Sequence, residues 1–489
     1  MDSAPLQLDP AICDRARLAR DPRFDGRFFI GVLTTGIYCR PICPAPSPKQ
    51  ANIRYFPTAA AAAEAGLRPC LRCRPEAAPG TPAWAGTSVT VRRALRLIQE
   101  GALDNCSVDE LAARLGVGAR HLHRLFVQHV GAPPIAVAQT RRLHFAKRLI
   151  DDTVLPMTDI ALASGFGSLR RFNAAFRNTY KRAPRELRRE RRATEGARND
   201  GLNLRLAYRP PYDWKSLHAF LAARALPGVE RVTSQSYARS IRVNDVSGWL
   251  EIRQVKAADA LDLSVHGLDP SALFNVVSRV RQMLDLAADP ADVRAVLRRD
   301  ALLVPLLRAR PGLRVPGAWD PFEIAVRAVL GQQISVAAAR TFAARLVAKY
   351  GSPITAGDGL THLFPEPAQL ATADLSAIGL TRSRAATIKA LATAVRDGIV
   401  CFDANSSADE VRAALLDIAG IGSWTAEYIA MRGLGDPDAF PAEDLILRRM
   451  AGRGKPLTAA ALRKHSQVWR PWRAYVVMHL WRAASLQSS

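Results

Sequence analysis

Four cysteines stand in two close pairs: Cys39 and Cys43 as C-x3-C, Cys70 and Cys73 as C-x2-C, with 26 residues between the pairs. Four thiolates at that spacing suit tetrahedral zinc, and the pattern predicts one Zn2+ held by all four. Four cysteines most often make a purely structural zinc knuckle. Here Arg40, Lys49, Arg54, Arg68, Arg72 and Arg74 crowd the cluster, which suits a surface pressed against a polyanion. Four thiolates on one Zn2+ leave about two negative charges in excess, so a bound thiolate stays ionised and nucleophilic at neutral pH. Cys13, Cys106 and Cys401 lack partners and read as ordinary buried or surface thiols. Far along the chain, Gly420-Ile-Gly422 opens a helical run, with Asp444 22 residues past Gly422. Such glycines let backbone N–H groups approach a phosphate closely. Alone, a G-x-G is commonly just a tight turn, and a single Asp a helix cap.

The elements that must position these groups belong to a long chain. Its 489 residues correspond to three or four domains at ~150 residues each. It carries 68 Lys+Arg against 44 Asp+Glu, a net charge of +24, which points to nucleic acid as the partner. Hydrophobic residues make up 48%, ample for packed cores, so wholesale disorder is excluded. No apolar run approaches the ~18 residues of a membrane-spanning helix, and Met1–Pro10 has no charged-then-apolar leader. An odd number of cysteines without such a leader argues against a disulfide scaffold. The expectation from these features is a cytoplasmic protein directed to nucleic acid and to no membrane.

Ser107-Val-Asp-Glu110 is a capping box, in which serine hydroxyl and glutamate satisfy each other's exposed backbone N–H groups. Val108, Leu111, Ala112 and Leu115 follow at helical spacing, and Gly116 ends the run. A second helix near Ala119–His129 buries Leu122, Leu125 and Phe126 and turns Arg120, His121 and Arg124 outward. This is helix-turn-helix grammar. It returns at Met157–Tyr180, broken at Gly165/Gly167, with Arg170, Arg171, Asn173 and Arg177 exposed. A joining helix near Ile135–Asp152 sets the two reading helices apart by roughly 27 Å, close to the ~34 Å between successive major grooves. Lys181–Arg198 has eight Lys/Arg and reads as a basic linker able to lie along phosphate. Leu202–Tyr208, Ser236–Val243 and Trp249–Val255 alternate as half-buried strands do. From Ser271 onward the chain reads as helices separated by Gly and Pro breaks.

Three stretches resemble known families. FDGRFFIGVLTTGIYCRPICPAPSPKQANIRYF followed by AGLRPCLRCRPE resembles the N-terminal domain of the Ada adaptive-response family. The resemblance implies that the first cysteine of the set, Cys39, accepts a methyl group from a DNA methylphosphotriester and that methylation raises affinity for promoter DNA. IALASGFGSLRRFNAAFRNTYKRAP resembles the AraC-type regulator domain. LLDIAGIGSWTAEY with FPAEDLILRR resembles the helix-hairpin-helix DNA glycosylases, and LAYRPPYDWKSLHAFLAARA and RPGLRVPGAWDPFEIAVRAVLGQQISV the AlkA type of 3-methyladenine glycosylase. That resemblance makes Asp444 the catalytic carboxylate, with Glu443 adjacent as an alternative. It makes Phe220, Gln332, Trp424, Tyr428 and Trp481 a base pocket whose aromatic faces favour purines made cationic by alkylation.

Two absences sharpen the expectation. Bifunctional members carry a lysine where Trp424 stands, and no cysteine follows Cys401 to bind an iron–sulfur cluster. The enzyme is therefore expected to be monofunctional. Three departures stand beside these: Gln333 where some relatives carry an apolar wedge, Arg482 where an aromatic follows Trp481, and no Pro-Cys-His-Arg motif. The resemblances imply a multidomain, mainly α protein. Its expected parts are a small α/β zinc domain (1–80), an all-α double helix-turn-helix domain (83–190) and a basic linker (191–201). An α+β, TBP-like domain (202–270) and an all-α helix-hairpin-helix glycosylase domain (271–489) complete it. The implied function is an alkylation-damage response: a methyl-activated transcription regulator, partnered by RNA polymerase, joined to an alkylpurine glycosylase. The alternative is a regulator whose glycosylase half only binds DNA.

Overall fold

The computed structural model describes residues 8–79, 89–188, 202–356, 359–403, 406–453 and 455–487. The predicted linker 191–201 and both ends of the predicted helix-turn-helix domain, 83–88 and 189–190, lie outside them. The chain forms two compact units: residues 1–210, 255–278 and 286–288 make the first, and 211–254, 279–285 and 289–489 the second. No helix among the described residues is long and apolar enough to cross a membrane.

The first unit opens with a four-stranded sheet in the order β3-β1-β2-β4, where β1 is Phe29–Val32, β2 Ile37–Cys39, β3 Ile53–Phe56 and β4 Arg68–Pro69. Phe29, Tyr38, Phe56 and Leu67 close a small core against the alanine-rich helix Ala59–Glu64. β2 and β4 run parallel, Ile37 beside Arg68 and Tyr38 beside Pro69, so Cys39 and Cys70 leave the sheet at the same end. The helical half of the unit follows the sequence closely. Ser107 and Glu110 exchange both capping hydrogen bonds, at 3.1 and 2.6 Å. Val108–Arg114 and Ala119–Val130 form the first helix pair, Met157–Ala163 and Leu169–Tyr180 the second. The joining helix Pro134–Asp152 has 19 residues, about 28 Å. β5 (Leu202–Ala207) pairs antiparallel with a strand that adds to those predicted, Ala260–His266. Its Leu261, Leu263 and Val265 are buried.

The sheet and the joining helix share a buried ion cluster. Arg74, at φ +53, bonds Asp151 at 2.8 Å and Asp152 at 3.1 Å, while Lys147 bonds Asp151 at 2.6 Å and lies 3.7 Å from Glu76. The Asp151, Glu76 and Lys147 side chains are almost wholly buried. Burial pushes the Glu76 carboxyl above its ordinary value. Beside them the Tyr38 hydroxyl meets His144 Nε2 at 2.8 Å. Burial, then the charge of Arg148, pushes His144 down to about 4, so its ring stays neutral.

The second unit begins with the helix Trp214–Arg224 and an antiparallel meander. Its strands are Glu230–Val232, Ser236–Val243 and Val246–Gln254. Asn244 and Asp245 both take positive φ, +50 and +65, as a two-residue hairpin requires. The rest is helical. Pro321–Leu330 buries eight of its ten residues, among them Glu323, which is paired with Arg239 at 2.7 Å and Arg327 at 2.9 Å.

Lys147→Met should cost ~3 kcal/mol, because the buried Asp151 and Glu76 must then share Arg74 with Asp152. A thermal melt of the full chain measures it. A wild-type melting temperature for the variant would show that the cluster carries no stability.

Candidate functional site

The first group is the thiol cluster. The Sγ atoms of Cys39, Cys43, Cys70 and Cys73 all lie within 4.8 Å of one another. Tetrahedral zinc with Zn–S bonds of ~2.3 Å needs sulfurs ~3.8 Å apart, so the donor set fits that metal. Cys39 ends β2, the turn from Arg40 O to Cys43 N (3.1 Å) brings Cys43 back, and Cys70 N donates to Tyr38 O at 3.0 Å. Cys39 and Cys43 are half-buried, Cys70 and Cys73 buried. The thiols compete for protons: the hydrogen bond with Cys39 is the largest cause pulling Cys43 down to about 7, and the same contact pushes Cys39 up. Cys106 and Cys401 are half-buried and Cys13 is buried, where burial raises its thiol to about 11.

The arginines around this cluster divide in two. Lys49, Arg54 and Arg72 are exposed. Arg40 and Arg74 face inward instead. Arg40 pairs with Asp25, donates to Cys73 O at 3.0 Å, and its backbone N–H lies 3.3 Å from Cys73 Sγ. Both are struts, because each has a carboxylate partner within the unit.

On the helix pairs, Arg120, His121, Arg124, Arg170 and Arg171 are exposed, and Arg124 bonds His121 at 2.9 Å. Leu122 and Phe126 are buried, but Leu125, expected in the core, is half-buried. Asn173, expected on the open face, is also half-buried, since it directly follows the buried Phe172.

The second unit holds a cavity of about 1150 Å3. Phe220, Trp424, Tyr428, Trp481 and Asp444 all line it. Asp444 caps the helix Leu445–Ala451, Oδ1 accepting from Leu447 N at 2.9 Å, while Oδ2 accepts from Trp424 Nε1 at 2.9 Å. Trp424 stacks on Tyr428 with centroids 5.2 Å apart and planes at 10°, and Trp481 follows at 6.2 Å. Glu443 does not line the cavity and is paired with Arg463. Gln332 does not line it either. Its Nε2 donates to Gly420 O at 2.9 Å and Thr425 Oγ1 at 3.0 Å, tying the preceding turn to the hairpin. Gln333 is exposed at φ +57 on that turn, and Arg482 lines the cavity beside Trp481.

The hairpin joins Ala408–Leu416 to Ser423–Arg432. Gly420 sits at φ +90, and a Cβ there would lie 2.1 Å from Thr387 Oγ1. Gly422 is exposed, caps the second helix at φ −94, and would meet nothing within 4 Å.

Two lining residues, Arg224 and Arg432, carry no signal among the sequence motifs. Arg432 Nη1 donates to the Tyr428 hydroxyl at 2.8 Å, and Arg224 lies 3.7 Å over the Phe220 ring. Burial raises the Tyr428 pKa, but Arg432 and then Arg224 outweigh it and hold the phenol below its ordinary value. The available clue is spacing, Arg432 falling four residues after Tyr428 and eight after Trp424 on one helical face.

A cysteine-built metal site, paired reading helices and an aromatic cavity with one capped carboxylate define a DNA-directed protein of more than one activity. Residues 12–76 match the family described as the metal binding domain of Ada, and 111–190 a helix-turn-helix domain. Residues 203–320 match the AlkA N-terminal domain, and 326–471 the HhH-GPD superfamily of base excision DNA repair proteins. The chain is 44% identical over 474 residues to the "probable bifunctional transcriptional activator/DNA repair enzyme AlkA" of Mycobacterium tuberculosis strain H37Rv, covering 96% of this chain and 95% of that one. It is 36% identical over 281 residues to DNA-3-methyladenine glycosylase 2 of Escherichia coli K12, covering 56% of this chain and 95% of that one. A solved 3-methyladenine DNA glycosylase from Archaeoglobus fulgidus shares the fold: TM-score 0.50 at 22% identity, over 56% of this chain and 96% of that one. The chain belongs to the family of bifunctional Ada–AlkA proteins.

Gly420→Ala should destabilise the second unit by more than ~1 kcal/mol, whereas Gly422→Ser, which keeps a cap-competent residue, should stay within ~0.5 kcal/mol. Parallel denaturant titrations decide, and equal losses would mean the hairpin has no special need at Gly420.

Proposed function

We propose that this chain is an alkylation-damage response protein with two activities. Residues 1–80 sense methylated phosphate, 83–190 read a promoter, 191–201 link, and 202–270 with 271–489 excise alkylated purines of the 3-methyladenine and 7-methylguanine type. Double-stranded DNA is the partner of both parts, RNA polymerase the partner during activation, and the nucleoid the place of action.

The observation that carries the excision reading is the Asp444 carboxylate on the wall of an aromatic cavity, fixed by Trp424 Nε1 and by its own helix. A nucleotide flipped from the duplex would stack its electron-poor base on Trp424, Tyr428 or Trp481. As the N-glycosidic bond breaks, the bonding electrons leave with the base and positive charge grows on the sugar. Asp444 stabilises that charge or positions the water that adds to it. Alkylated purines leave readily, so little acid catalysis is required. Backbone N–H groups near Gly420 and Gly422 hold phosphate. With Trp424 in place of an amine, no Schiff base forms and the abasic strand stays uncut.

Asp444→Asn should nearly abolish release of 3-methyladenine in single turnover, while binding to an abasic duplex changes much less. Glu443→Gln should keep activity, and wild-type protein should not be trapped on DNA by borohydride. Loss of activity in Glu443→Gln instead would place the carboxylate one residue earlier. Wild-type protein that binds methylated DNA but frees no base would favour the binding-only module.

For the sensor, we assign one zinc to Cys39, Cys43, Cys70 and Cys73. The metal would keep the thiolates ionised at neutral pH. Cys39 Sγ attacks the methyl carbon of a methylphosphotriester in line, the C–O bond breaks, and the phosphate leaves as a diester anion. The half-buried position of Cys39 supports access. Its thiolate becomes a neutral thioether, so repulsion of DNA falls and promoter affinity rises. The transfer is stoichiometric. Mass spectrometry after exposure to methylphosphotriester DNA should find one methyl, on Cys39, and native mass spectrometry one zinc. A methyl on Cys70 or Cys73 would refute the assignment.

A further inference from the structure

Two reading helices can serve one stretch of duplex only if the body between them holds their angle as well as their distance. The joining helix Pro134–Asp152 supplies the distance. Its Leu143, Ala146, Leu149 and Ile150 are buried. Apolar contact is non-directional, so burial alone sets rotation about the helix axis loosely.

One carboxylate sets that rotation. Asp104 lies on the short helix Ala102–Asn105, three residues before Ser107, which caps the first helix pair. Its Oδ1 and Oδ2 each accept from Arg141 Nη2 at 2.5 Å, and Oδ1 also accepts from Arg142 Nε at 2.6 Å. The arginines extend the tie, Arg141 Nη1 donating to Ile98 O at 2.8 Å and Arg142 Nη2 to Leu103 O. Successive residues on a helix point about 100° apart. Both arginines therefore reach one carboxylate only while it stands over the line between them. The side chains of Arg141, Arg142 and Asp104 are 11%, 15% and 18% exposed, and Asp104 is the one carboxylate that either arginine meets among the described residues. Turning the joining helix either way draws a guanidinium off and leaves its charge without a partner, largely out of water.

The same carboxylate also faces the second helix pair. Gly165, at φ +78, lies in the turn between Met157–Ala163 and Leu169–Tyr180. Phe166 N donates to Ala161 O at 3.0 Å across it, a helix end that calls for a left-handed residue. The glycine answers a second need. A Cβ there would lie 2.5 Å from Asp104 Oδ2 and 2.6 Å from its Cγ. Three residues on, Ser168 caps the second reading helix. Asp104 thus meets the lead-in to the first pair, the joining helix and the turn of the second pair.

We propose that Asp104 is the positioning residue that fixes the angle between the two reading helices, so that both engage one duplex at once. It acts through Arg141, Arg142 and the turn at Gly165. With the rotation released, each helix still binds its own segment, but the second contact must then order the body as well, and its advantage falls. The proposal rests on the reading of 83–190 as a promoter-reading domain and goes beyond it by naming the residue that makes two helices act as one.

The test takes the full chain and a duplex that it recovers from a random-sequence pool, with the protected segments mapped by footprinting. Affinity is measured for that duplex and for a copy in which one of the two protected major-groove segments is scrambled. The factor by which scrambling weakens binding should shrink about fivefold in Asp104→Asn, while affinity for the scrambled copy stays within about twofold of wild type. A smaller folded fraction would lower both affinities together and leave the factor unchanged, so the factor separates positioning from stability. Arg142→Gln, which leaves Arg141 on Asp104, should shrink it less, and it decides the matter if Asp104→Asn does not fold. An unchanged factor in the folded variants would overturn the positioning role while leaving promoter reading intact. A wild-type chain that recovers no sequence, or protects a single segment, would overturn the promoter reading itself and this proposal with it.

Discussion

The second unit depends on one carboxylate doing two structural jobs. Asp444 ends the approach to a helix by capping Leu447, and it ties that helix to the hairpin through the indole of Trp424. An N-cap is worth ~1 kcal/mol, and a hydrogen bond to a charged acceptor ~1.5–3 kcal/mol. Both bonds also fix where the oxygens point. A group that must meet a developing charge gains from orientation before the reaction starts, because no reorganisation is then needed. The helix cap reading of an isolated Asp and the catalytic reading are thus the same geometry. Glu443, one residue earlier, is paired with Arg463 and does not line the cavity.

The first unit is organised around the opposite device, charges buried against one another. Arg74 directly follows the thiol Cys73 and reaches Asp151 and Asp152 at the end of the joining helix. Lys147 and Glu76 complete the cluster from either side. Ion pairs of this kind seldom add net stability over apolar packing, but they penalise every arrangement that separates them. The stretch that carries two of the four sulfurs is therefore held in register with the helix that spaces the two reading helices. Tyr38, whose carbonyl anchors Cys70, adds a second tie through His144.

What was legible in the sequence was local or covalent. The C-x3-C and C-x2-C pairs converge because the chain between them folds into one small sheet. Ser107 and Glu110 form their capping box as spaced. Trp424, Tyr428 and Asp444 are near in sequence, and they are near in space. Less legible were the residues whose partner lies far along the chain. Gln332 was expected in the pocket, and it bonds Gly420, 88 positions on. Arg40 and Arg74 were expected on a DNA-facing surface, yet their carboxylates are Asp25, Glu76, Asp151 and Asp152. An arginine in a basic stretch looks the same whether it faces phosphate or a buried acid; only the fold supplies the acid. Asn173 and Leu125 show the narrower limit that a position at the edge of a helical stripe is neither core nor surface.

The arginine bookkeeping also bears on how the net charge is to be understood. Arg40, Arg74, Arg239, Arg327 and Arg412 are all engaged with carboxylates inside their units. Each such pair removes one charge of either sign, so internal pairing cannot consume the excess of 24. That excess must lie where no acid answers it: on exposed faces such as those of Arg120, Arg124, Arg170 and Arg171, and in the cavity at Arg224 and Arg432. Charge on an open face is screened by salt within ~8–10 Å and acts on phosphate without regard to sequence. Charge inside a cavity is screened far less and acts on whatever small group enters. The same surplus of arginine therefore stands in two settings, on open faces where salt screens it and in a cavity where it is screened far less, and burial decides which residue stands in which.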